Sequence, residues 1–191
     1  WMEELLMYAQ REDVGAVGAR LWYAGGRLIQ HVGITNLQIG PSHKLVTFQD
    51  DQDYYYGRSR VAYDMIGVTA ACLMVTKKKY EEVGGLDETM AVSYNDVDFC
   101  FKLWEAGYYN VLRNDVVLYH HESLSRGLDE HDENKWERLL TEKRNLYARH
   151  PQLDGKDPFY HEALIDNASD YRCNYKFPYE DPLHTVGVKP L

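Results

Sequence analysis

Strand-like and helix-like segments alternate along the 191-residue chain, which predicts an α/β fold. Apolar residues make up 45 % of the chain and charged residues 27 %, the balance of an ordinary globular protein. The length suffices for one domain with its own hydrophobic core. We therefore expect one α/β domain over residues 1–150 and a tail over 151–191 that wraps the surface.

The first sixty residues predict a helix, a pair of strands and a long loop. Apolar residues at helical spacing indicate a helix over residues 1–10. Residues 14–23 are typical of a buried strand, and a turn at 24–27 separates them from a returning strand over 28–32. Residues 33–60 are polar and irregular, and a loop of that length is usually a functional lid or a mobile segment.

The middle of the chain predicts a central strand and two helices. Residues 67–76 form a continuous apolar run, which is typical of a strand covered on both faces. A short helix is expected over 77–83, before a pair of glycines. A second helix is expected over 95–106, with Asn95 as its N-cap and Gly107 just beyond its end.

The last third predicts two short strands, over 109–112 and 116–119, and a helix over 132–149. The side chains that we expect on the inward face of this helix are Trp136, Leu139, Leu140, Lys143, Leu146 and Tyr147.

Charge and cysteine content limit the classes of function. Asp and Glu number 30 against 21 Lys and Arg, for a net charge of −9, which argues against nonspecific nucleic-acid binding. The three cysteines have no CxxC spacing, so we expect a reducing, cytoplasmic compartment and no disulfide framework. No apolar run approaches the ~20 residues that span a bilayer. Because Trp1 already lies in an amphipathic pattern, we expect the sequence to begin in mid-domain.

Two clusters of polar residues can carry chemistry. Asp96 and Asp98 lie at the predicted start of a helix, where unpaired backbone N–H groups and a partial positive charge favour ionised carboxylates. A catalytic base or an acid close to a metal would suit that position. His120 and His121 follow the second short strand and can bind metal or carry protons.

Four segments, in this order, resemble the family 2 inverting nucleotide-sugar glycosyltransferases, which have the GT-A fold. The resemblance is closest to bacterial rhamnosyltransferase-like enzymes that build surface polysaccharides, and it covers roughly residues 1–160. The segments are Val14-Gly15-Ala16-Val17-Gly18-Ala19-Arg20-Leu21-Trp22-Tyr23 with Ile29-Gln30-His31-Val32-Gly33, then Gly67-Val68-Thr69-Ala70-Ala71-Cys72-Leu73-Met74-Val75 with Val83-Gly84-Gly85-Leu86-Asp87-Glu88, then 95–108, then Tyr119-His120-His121-Glu122-Ser123-Leu124-Ser125-Arg126-Gly127.

The resemblance implies a mixed sheet flanked by helices, in a partial GT-A-type fold, and transfer of a sugar from a nucleoside-diphosphate donor to a glycan or lipid-linked acceptor. It implies that Asp96 is the general base and that His120 completes the shell of a divalent metal or contacts the diphosphate. The metal, Mn²⁺ or Mg²⁺, is expected only in the complete enzyme. Neutral imidazole suits Mn²⁺ better than Mg²⁺. Arg126 would contact the leaving diphosphate. The candidate acceptor-binding residues are Asp87, Thr69 and Trp104.

Each of these residues also has a structural interpretation. Asp96 can merely stabilise a helix N-terminus, a contribution of about 0.3–1 kcal/mol. Asp98 is four residues before Lys102 and can pair with it on the helix surface. Asp87 can belong to a tight turn, and Trp104 can belong to the core. Arg126 can be an ordinary surface arginine.

One departure from the family pattern is important. In the family, a nucleotide-binding half with an Asp-x-Asp motif precedes these segments, and here that half would lie before Trp1. The acidic stretch Asp50-Asp51-Gln52-Asp53 lies downstream of that place, and we do not assign it the metal-binding role. The sequence therefore predicts the acceptor-side portion of a larger enzyme, inactive or nearly so when isolated.

Several expectations follow for the protein's partners. Exposed edges and apolar faces would favour a homo-oligomer or a domain-swapped dimer of the 191-residue chain. We expect the full-length protein in the cytoplasm, where it could also associate peripherally with the membrane. We expect no nucleic-acid partner. The alternative from another functional class is a non-catalytic carbohydrate-binding or assembly module on the same scaffold. A metal-dependent hydrolase using Asp96, His120 and His121 is a third possibility, for which the usual ligand spacing is missing from the sequence.

Overall fold

The structure is a computed structural model that describes residues 1–90, 93–121, 133–166 and 169–176. Within those residues the chain forms four α-helices and seven strands, which confirms a mixed α/β class. The elements are α1 Met2–Ala9, β1 Val14–Tyr23, β2 Ile29–His31, β3 Ile34–Leu37, β4 Gly40–His43, β5 Ala62–Met65, β6 Leu73–Met74, α2 Lys77–Glu82, α3 Asn95–Glu105, β7 Tyr109–His120 and α4 Glu133–Arg149.

Strand β1 is the centre of a mixed sheet in which the strand order is β2-β1-β7-β5. β1 and β7 are parallel, while β2 and β5 run antiparallel to their neighbours. β6 also pairs antiparallel with β1, on the edge opposite β7. The predicted strand over 14–23 and its returning partner are both confirmed.

The two faces of β1 are covered by different helices, as expected for a strand in the middle of a parallel pair. Ala16 lies in one buried cluster with Phe99 and Leu103 of α3. Val17 lies in another buried cluster with Leu5 and Ala9 of α1. Because successive side chains of a strand point to opposite faces, this alternation puts α1 and α3 on opposite sides of the sheet.

Helix α3 has a regular C-terminus and an unusual N-terminus. Gly107 has φ +92°, and the N–H groups of Gly107 and Tyr108 donate to the carbonyls of Trp104 and Leu103, which confirms the predicted glycine stop. The predicted N-cap is wrong, because Asn95 is already the first helical residue. The capping residue is Tyr94, whose φ of 62° is in the left-handed region that few non-glycine residues adopt.

The apolar run over 67–76 is not one central strand. Within it Leu73–Met74 is the regular strand, and Ala70–Cys72 forms a short 3-10 turn. The turn begins at Thr69, whose side-chain oxygen accepts a hydrogen bond from the backbone N–H of Ala71. An apolar run indicates burial but does not by itself distinguish an extended backbone from a turn.

The segment over 33–60 is not a structureless loop, because β3 and β4 form a two-stranded antiparallel sheet within it. One of its buried polar residues, Asn36, contacts the tail. The side-chain amide of Asn36 donates to the carbonyls of Leu153 and Lys156, and the N–H of Leu45 donates to the carbonyl of Ser169 at 2.7 Å. The described part of the tail therefore packs along this hairpin.

Two further expectations need correction. The two short strands form one continuous strand, β7, with an irregular register against β1 near Arg113. Helix α4 turns neither Trp136 nor Leu140 inward, since 61 % and 38 % of these residues are exposed. Its buried residues include Glu142 and Leu146, so the buried face is partly polar.

The state of the cysteines and the length of the helices can be compared with the compartment that the sequence predicts. Cys72, Cys100 and Cys173 are all free thiols. Burial raises the pKa of the Cys100 thiol to about 12, so this thiol is protonated at neutral pH. Among the described residues, no helix is both long enough and apolar enough to cross a membrane.

Candidate functional site

Asp96 lies in the first turn of α3, and its carboxylate is fixed by two backbone groups. The N–H of Ala70 donates to Oδ2 at 3.0 Å, and the N–H of Val97 donates to Oδ1 at 2.9 Å. The residue is half-buried. Asp96 thus joins the start of α3 to the 3-10 turn at 70–72.

The same turn forms part of a cleft with a volume of about 330 Å³, which we call the polar cleft. Thr69 and Ala71, on either side of the residue that Asp96 holds, contribute to its wall. The lining residues are Tyr23, Gln30, His31, His43, Val46, Thr69, Ala71 and His120. The structure therefore brings three of the predicted site residues, Asp96, Thr69 and His120, to one region.

His120 is the last residue of β7 and is oriented by a residue on β2. The Nδ1 atom of its ring lies 2.8 Å from Oε1 of Gln30. An amide oxygen can only accept, so Nδ1 of His120 carries the proton and a neutral ring has Nε2 as its acceptor. A ligating histidine commonly has this arrangement, with one nitrogen bound to an outer oxygen and the other available to a metal.

His120 offers a divalent metal a suitable donor atom in this region. Among the described residues, no group of three or more His, Cys, Asp and Glu side chains is arranged to hold a metal ion. Nε2 of His120 fits the role of one ligand, and further ligands would have to come from other parts of the protein or from a substrate. The role of His120 in metal binding stays a prediction.

Two further histidines form a buried pair beside the cleft. His31, on β2, has no exposed surface, and its Nδ1 lies 2.9 Å from Nδ1 of His43 on β4. Nε2 of His31 accepts a hydrogen bond from the N–H of Thr69 at 3.4 Å. Burial, with a smaller contribution from His43, lowers the pKa of His31 well below its usual value, so the ring is neutral at physiological pH.

Asp87 lies in a different environment. Its carboxylate accepts hydrogen bonds from the N–H and the hydroxyl of Thr89, at 2.7 and 2.6 Å, and pairs with Arg149. The hydrogen bonds from Thr89 and the nearby Arg149 lower the pKa of Asp87. Arg149 also lies 3.6 Å from Asp98, so Asp87 belongs to the charged network on the far face of α3. Its predicted contact with an acceptor sugar is not tested by this geometry.

The charged network around Asp98 is a structural one. Asp98 is buried and pairs with Lys102 at 2.9 Å, which confirms the predicted helix pair. Nε2 of His150 lies 3.2 Å from Asp98, and Nδ1 of His150 lies 2.8 Å from Glu105. Burial would raise the pKa of Asp98, but the hydrogen bonds to His150 and Lys102 outweigh it and lower the pKa. These contacts fasten α4 to α3.

Two other residues that the sequence singles out, Trp104 and Asp50, do not line the polar cleft. Trp104 is half-buried and packs against the cluster that contains Phe101 and Leu146, as its core interpretation expects. Arg126 lies outside the described residues. Asp50 is buried and forms ion pairs with Arg20 at 2.6 Å and with Arg60 at 2.9 Å, so it holds two structural cations rather than facing the cleft.

Sequence reasoning missed four polar residues of the cleft: Tyr23, Gln30, His31 and His43. The sequence analysis identified Gln30 and His31 only as members of a family-like strand, and it gave them no role in a site. His43 was hidden in the predicted loop, because the hairpin that brings it to His31 was not foreseen. A signal was present in Ile29-Gln30-His31-Val32, where polar residues interrupt a short and otherwise buried strand.

Comparison with known proteins relates the chain to two longer bacterial proteins. It is 36 % identical over 174 residues to the uncharacterized protein y4gI of Sinorhizobium fredii (strain NBRC 101917 / NGR234), a match that covers 90 % of the chain and 19 % of that protein. It is 32 % identical over 176 residues to the O-antigen biosynthesis protein RfbC of Myxococcus xanthus, covering 89 % of the chain and 13 % of RfbC. No protein-family model matches the chain.

The chain thus spans less than a fifth of the length of either relative. The similarity extends over nearly all of the 191 residues, so the fold and the polar cleft lie within the shared region. One of the two relatives is named for O-antigen biosynthesis, a form of bacterial polysaccharide synthesis.

Proposed function

We propose that this chain is the acceptor-side part of a family 2 inverting glycosyltransferase with a GT-A-type fold, acting in the synthesis of a bacterial surface polysaccharide. The four family-like segments and the similarity to RfbC support the proposal. The observation that carries it is the link between Asp96 and the polar cleft. The carboxylate accepts a hydrogen bond from the N–H of Ala70. The two neighbours of Ala70, Thr69 and Ala71, line the cleft together with His120.

The proposed reaction is a single displacement at the anomeric carbon of the donor sugar. Asp96 accepts the proton of an acceptor hydroxyl as that oxygen attacks the carbon. The bond between the anomeric carbon and the diphosphate oxygen breaks, and the nucleoside diphosphate leaves with the bonding electrons. The configuration at carbon inverts, and Asp96 later releases its proton to solvent. A general base of this kind contributes about 10²–10⁴-fold in rate.

The surroundings of Asp96 suit a base that must be positioned. Each carboxylate oxygen accepts one hydrogen bond from the backbone, and each has a second lone pair with which to accept a proton. Because both contacts are to backbone atoms, the carboxylate is oriented by α3 and the turn rather than by mobile side chains. Preorganisation of this kind favours proton transfer from a bound hydroxyl.

The same proposal assigns roles to the other predicted residues. A divalent metal, Mn²⁺ or Mg²⁺, would neutralise the charge of the departing diphosphate in the complete protein. His120 would offer Nε2 as one ligand, because Gln30 holds its other nitrogen. Arg126 would contact the diphosphate, while Thr69 would contact the acceptor from the cleft wall. A nucleotide-sugar donor, a glycan or lipid-linked acceptor and a cytoplasmic location complete the proposal.

The test compares two substitutions of Asp96 in the full-length protein that contains this chain. Asp96→Asn removes the negative charge but keeps an oxygen that can accept from Ala70. Asp96→Ala removes both the charge and the anchor of the turn. If Asp96 is the base, both variants lose at least about a hundredfold in turnover of nucleotide sugar, while Asp96→Asn keeps the wild-type melting temperature.

The control for this experiment is Asp51→Asn, an exposed carboxylate in the acidic stretch, which should leave turnover unchanged. If Asp96→Asn turns over at the wild-type rate and only Asp96→Ala is impaired, Asp96 is an anchor for the turn and not a base. The non-catalytic carbohydrate-binding module would then be the better proposal, provided that sugar binding persists.

A further inference from the structure

A pair of aromatic rings lies at the ends of the two central strands, beside His120. β1 and β7 are parallel, and their register pairs Trp22 with Tyr119 and Tyr23 with His120. Because side chains alternate along a strand, Trp22 and Tyr119 share one face of the sheet and the other pair shares the opposite face. A ligand outside the carboxyl ends of parallel strands can contact both pairs.

Trp22 is the fixed member of this aromatic pair. Its indole N–H donates to Oδ2 of Asp50 at 2.7 Å, and Asp50 is buried between its ion-pair partners Arg20 and Arg60. The guanidinium carbon of Arg27 lies 5.1 Å from the centroid of the Trp22 ring. The ring is half-buried and packs against the core cluster that α3 covers. Trp22 is therefore a rigid support for a neighbouring ring.

Tyr119 is the exposed member of the pair. Its ring meets that of Trp22 edge to face, with centroids 5.6 Å apart and planes inclined at 68°. The residue is nevertheless 58 % exposed. An aromatic side chain that is exposed but already oriented by a fixed neighbour loses little conformational freedom when a ligand binds. Tyr119 thus has the properties of a preorganised contact residue.

The position of Tyr119 relates it to the proposed base. Tyr119, Ala70 and Ala71 all line one apolar groove of about 400 Å³, and His120 lines both this groove and the polar cleft. Asp96 accepts its hydrogen bond from the N–H of Ala70. A ligand against the ring of Tyr119 would therefore lie along the same turn that Asp96 anchors.

We infer that Tyr119 is a sugar-binding residue whose ring stacks on the C–H face of a sugar of the acceptor, with Trp22 as its support. The inference rests on the proposed function in taking the ligand to be the acceptor. A pyranose ring has an apolar face of C–H groups and a rim of hydroxyls, so it matches an aromatic ring with polar side chains beside it. Arg27, exposed above Trp22, offers N–H donors to such hydroxyls.

The first measurement identifies the ligand class with simple probes. Methyl glycosides of glucose, galactose, mannose and rhamnose are titrated against the dilute 191-residue protein labelled with ¹³C-tyrosine, and uridine and thymidine are titrated separately, since nucleobases also stack on tyrosine. The ring signals of Tyr119 are those that disappear in Tyr119→Phe. At least one glycoside should shift them in a saturable manner. No saturable shift with any glycoside, or saturation by nucleosides alone, would overturn the inference.

Variants of Tyr119 test whether the ring itself binds the sugar. Tyr119→Ala removes the ring and should weaken binding of that glycoside about tenfold. Tyr119→Phe keeps the ring and should bind within about twofold of the wild type. Tyr119→Leu keeps an apolar side chain without a ring, and it replaces Tyr119→Ala if the latter lowers the melting temperature. Tyr175→Ala, at a position in the tail that is 92 % exposed, is the matched control and should not change the affinity. Equal affinities of the wild type and both ring-deletion variants would contradict the role of Tyr119.

Kinetics of the full-length protein separate this inference from the proposed catalysis. Tyr119→Ala should act mainly on the KM for the acceptor and raise it about tenfold, whereas Asp96→Asn should act on kcat. An effect of Tyr119→Ala on the KM for the nucleotide sugar alone would overturn the assignment to the acceptor. If Asp96→Asn turns over at the wild-type rate while Tyr119→Ala still weakens glycoside binding, the base assignment fails and the sugar-binding role of Tyr119 is supported.

Discussion

Lys44, the residue after His43, provides a sharp test of how the tail is held against the β3–β4 hairpin. Its side chain has no exposed surface, and its Nζ lies 4.6 Å from the ring centroid of Tyr160 and 5.5 Å from that of Tyr171. Nζ also donates to the carbonyl of Asp170 at 3.2 Å. Burial lowers the pKa of Lys44 to about 8, despite the nearby carboxylates.

The sign of the pH effect follows from the two states of the chain. The unfolded chain has an ordinary lysine pKa of about 10.5, so between pH 8 and 10.5 it binds more protons at this position than the folded chain does. Stability therefore rises with pH in this window, and the contribution is lost as pH falls through the folded pKa. From pH 7 to pH 10 the increase attributable to Lys44 is about 2.5 kcal/mol.

The assay is urea unfolding of the wild type and Lys44→Met, followed by tryptophan fluorescence at pH 7, 8, 9 and 10. Groups remote from this contact, such as Lys79, titrate in both proteins, so the difference between the two unfolding free energies isolates the effect of Lys44. That difference should shift in favour of the wild type by about 2.5 kcal/mol over the range. Lys78→Met, at an exposed helical position, is the control and should give no such shift. A difference that stays constant within about 0.5 kcal/mol would refute the reasoning.

Two further predictions concern the charged network and the exposed apolar surface. Burial alone would lower the pKa of His150, but the hydrogen bonds to Asp98 and Glu105 outweigh burial and raise the pKa. The stability that this ring contributes is therefore present below about pH 6.5, and it is lost as the pH rises through the pKa of the folded state. The unfolding free energy of wild type minus His150→Gln should therefore fall with rising pH, and a rise would contradict the network. The 191-residue chain alone should self-associate, because Trp1 and Met2 are 56 % and 60 % exposed and line a largely apolar groove of about 400 Å³. Light scattering at crystallisation concentrations that gives a clean monomer would disprove this.

The elements that the sequence predicts correctly are those whose signals are local. β1 is identified by its run of small and apolar residues, which Arg20 interrupts, and by the turn that follows it. α3 is identified by its spacing and by Gly107, which is required at the left-handed position after the helix. These signals do not depend on which distant residues pack nearby, so a single sequence suffices to read them.

The elements that were missed depend on distant contacts. The β3–β4 hairpin buries Asn36, which is satisfied only by carbonyls of the tail more than a hundred residues away. The inward face of α4 includes Glu142, whose carboxylate accepts from the N–H of Ser93 at 2.7 Å. A polar residue that is buried because of a distant partner cannot be distinguished from an exposed one by periodicity.

The candidate site was predicted in part for the same reason. Asp96 and His120 stand out through residue type and family resemblance, and both are near the polar cleft. The His31–His43 pair requires the hairpin, so its geometry could not be anticipated. Asp87 is not part of this region. It pairs with Arg149, which also lies close to Asp98, so Asp87 belongs to the charged network.

The most direct test of the central claim is the single-turnover rate of sugar transfer by the full-length protein, with donor and acceptor already bound, for the wild type and Asp96→Asn. This rate reports the chemical step without substrate binding or product release. The predicted result is a rate at least about a hundredfold lower in Asp96→Asn, with the affinity for both substrates unchanged. An equal rate in the two proteins would contradict the role of Asp96 as the base.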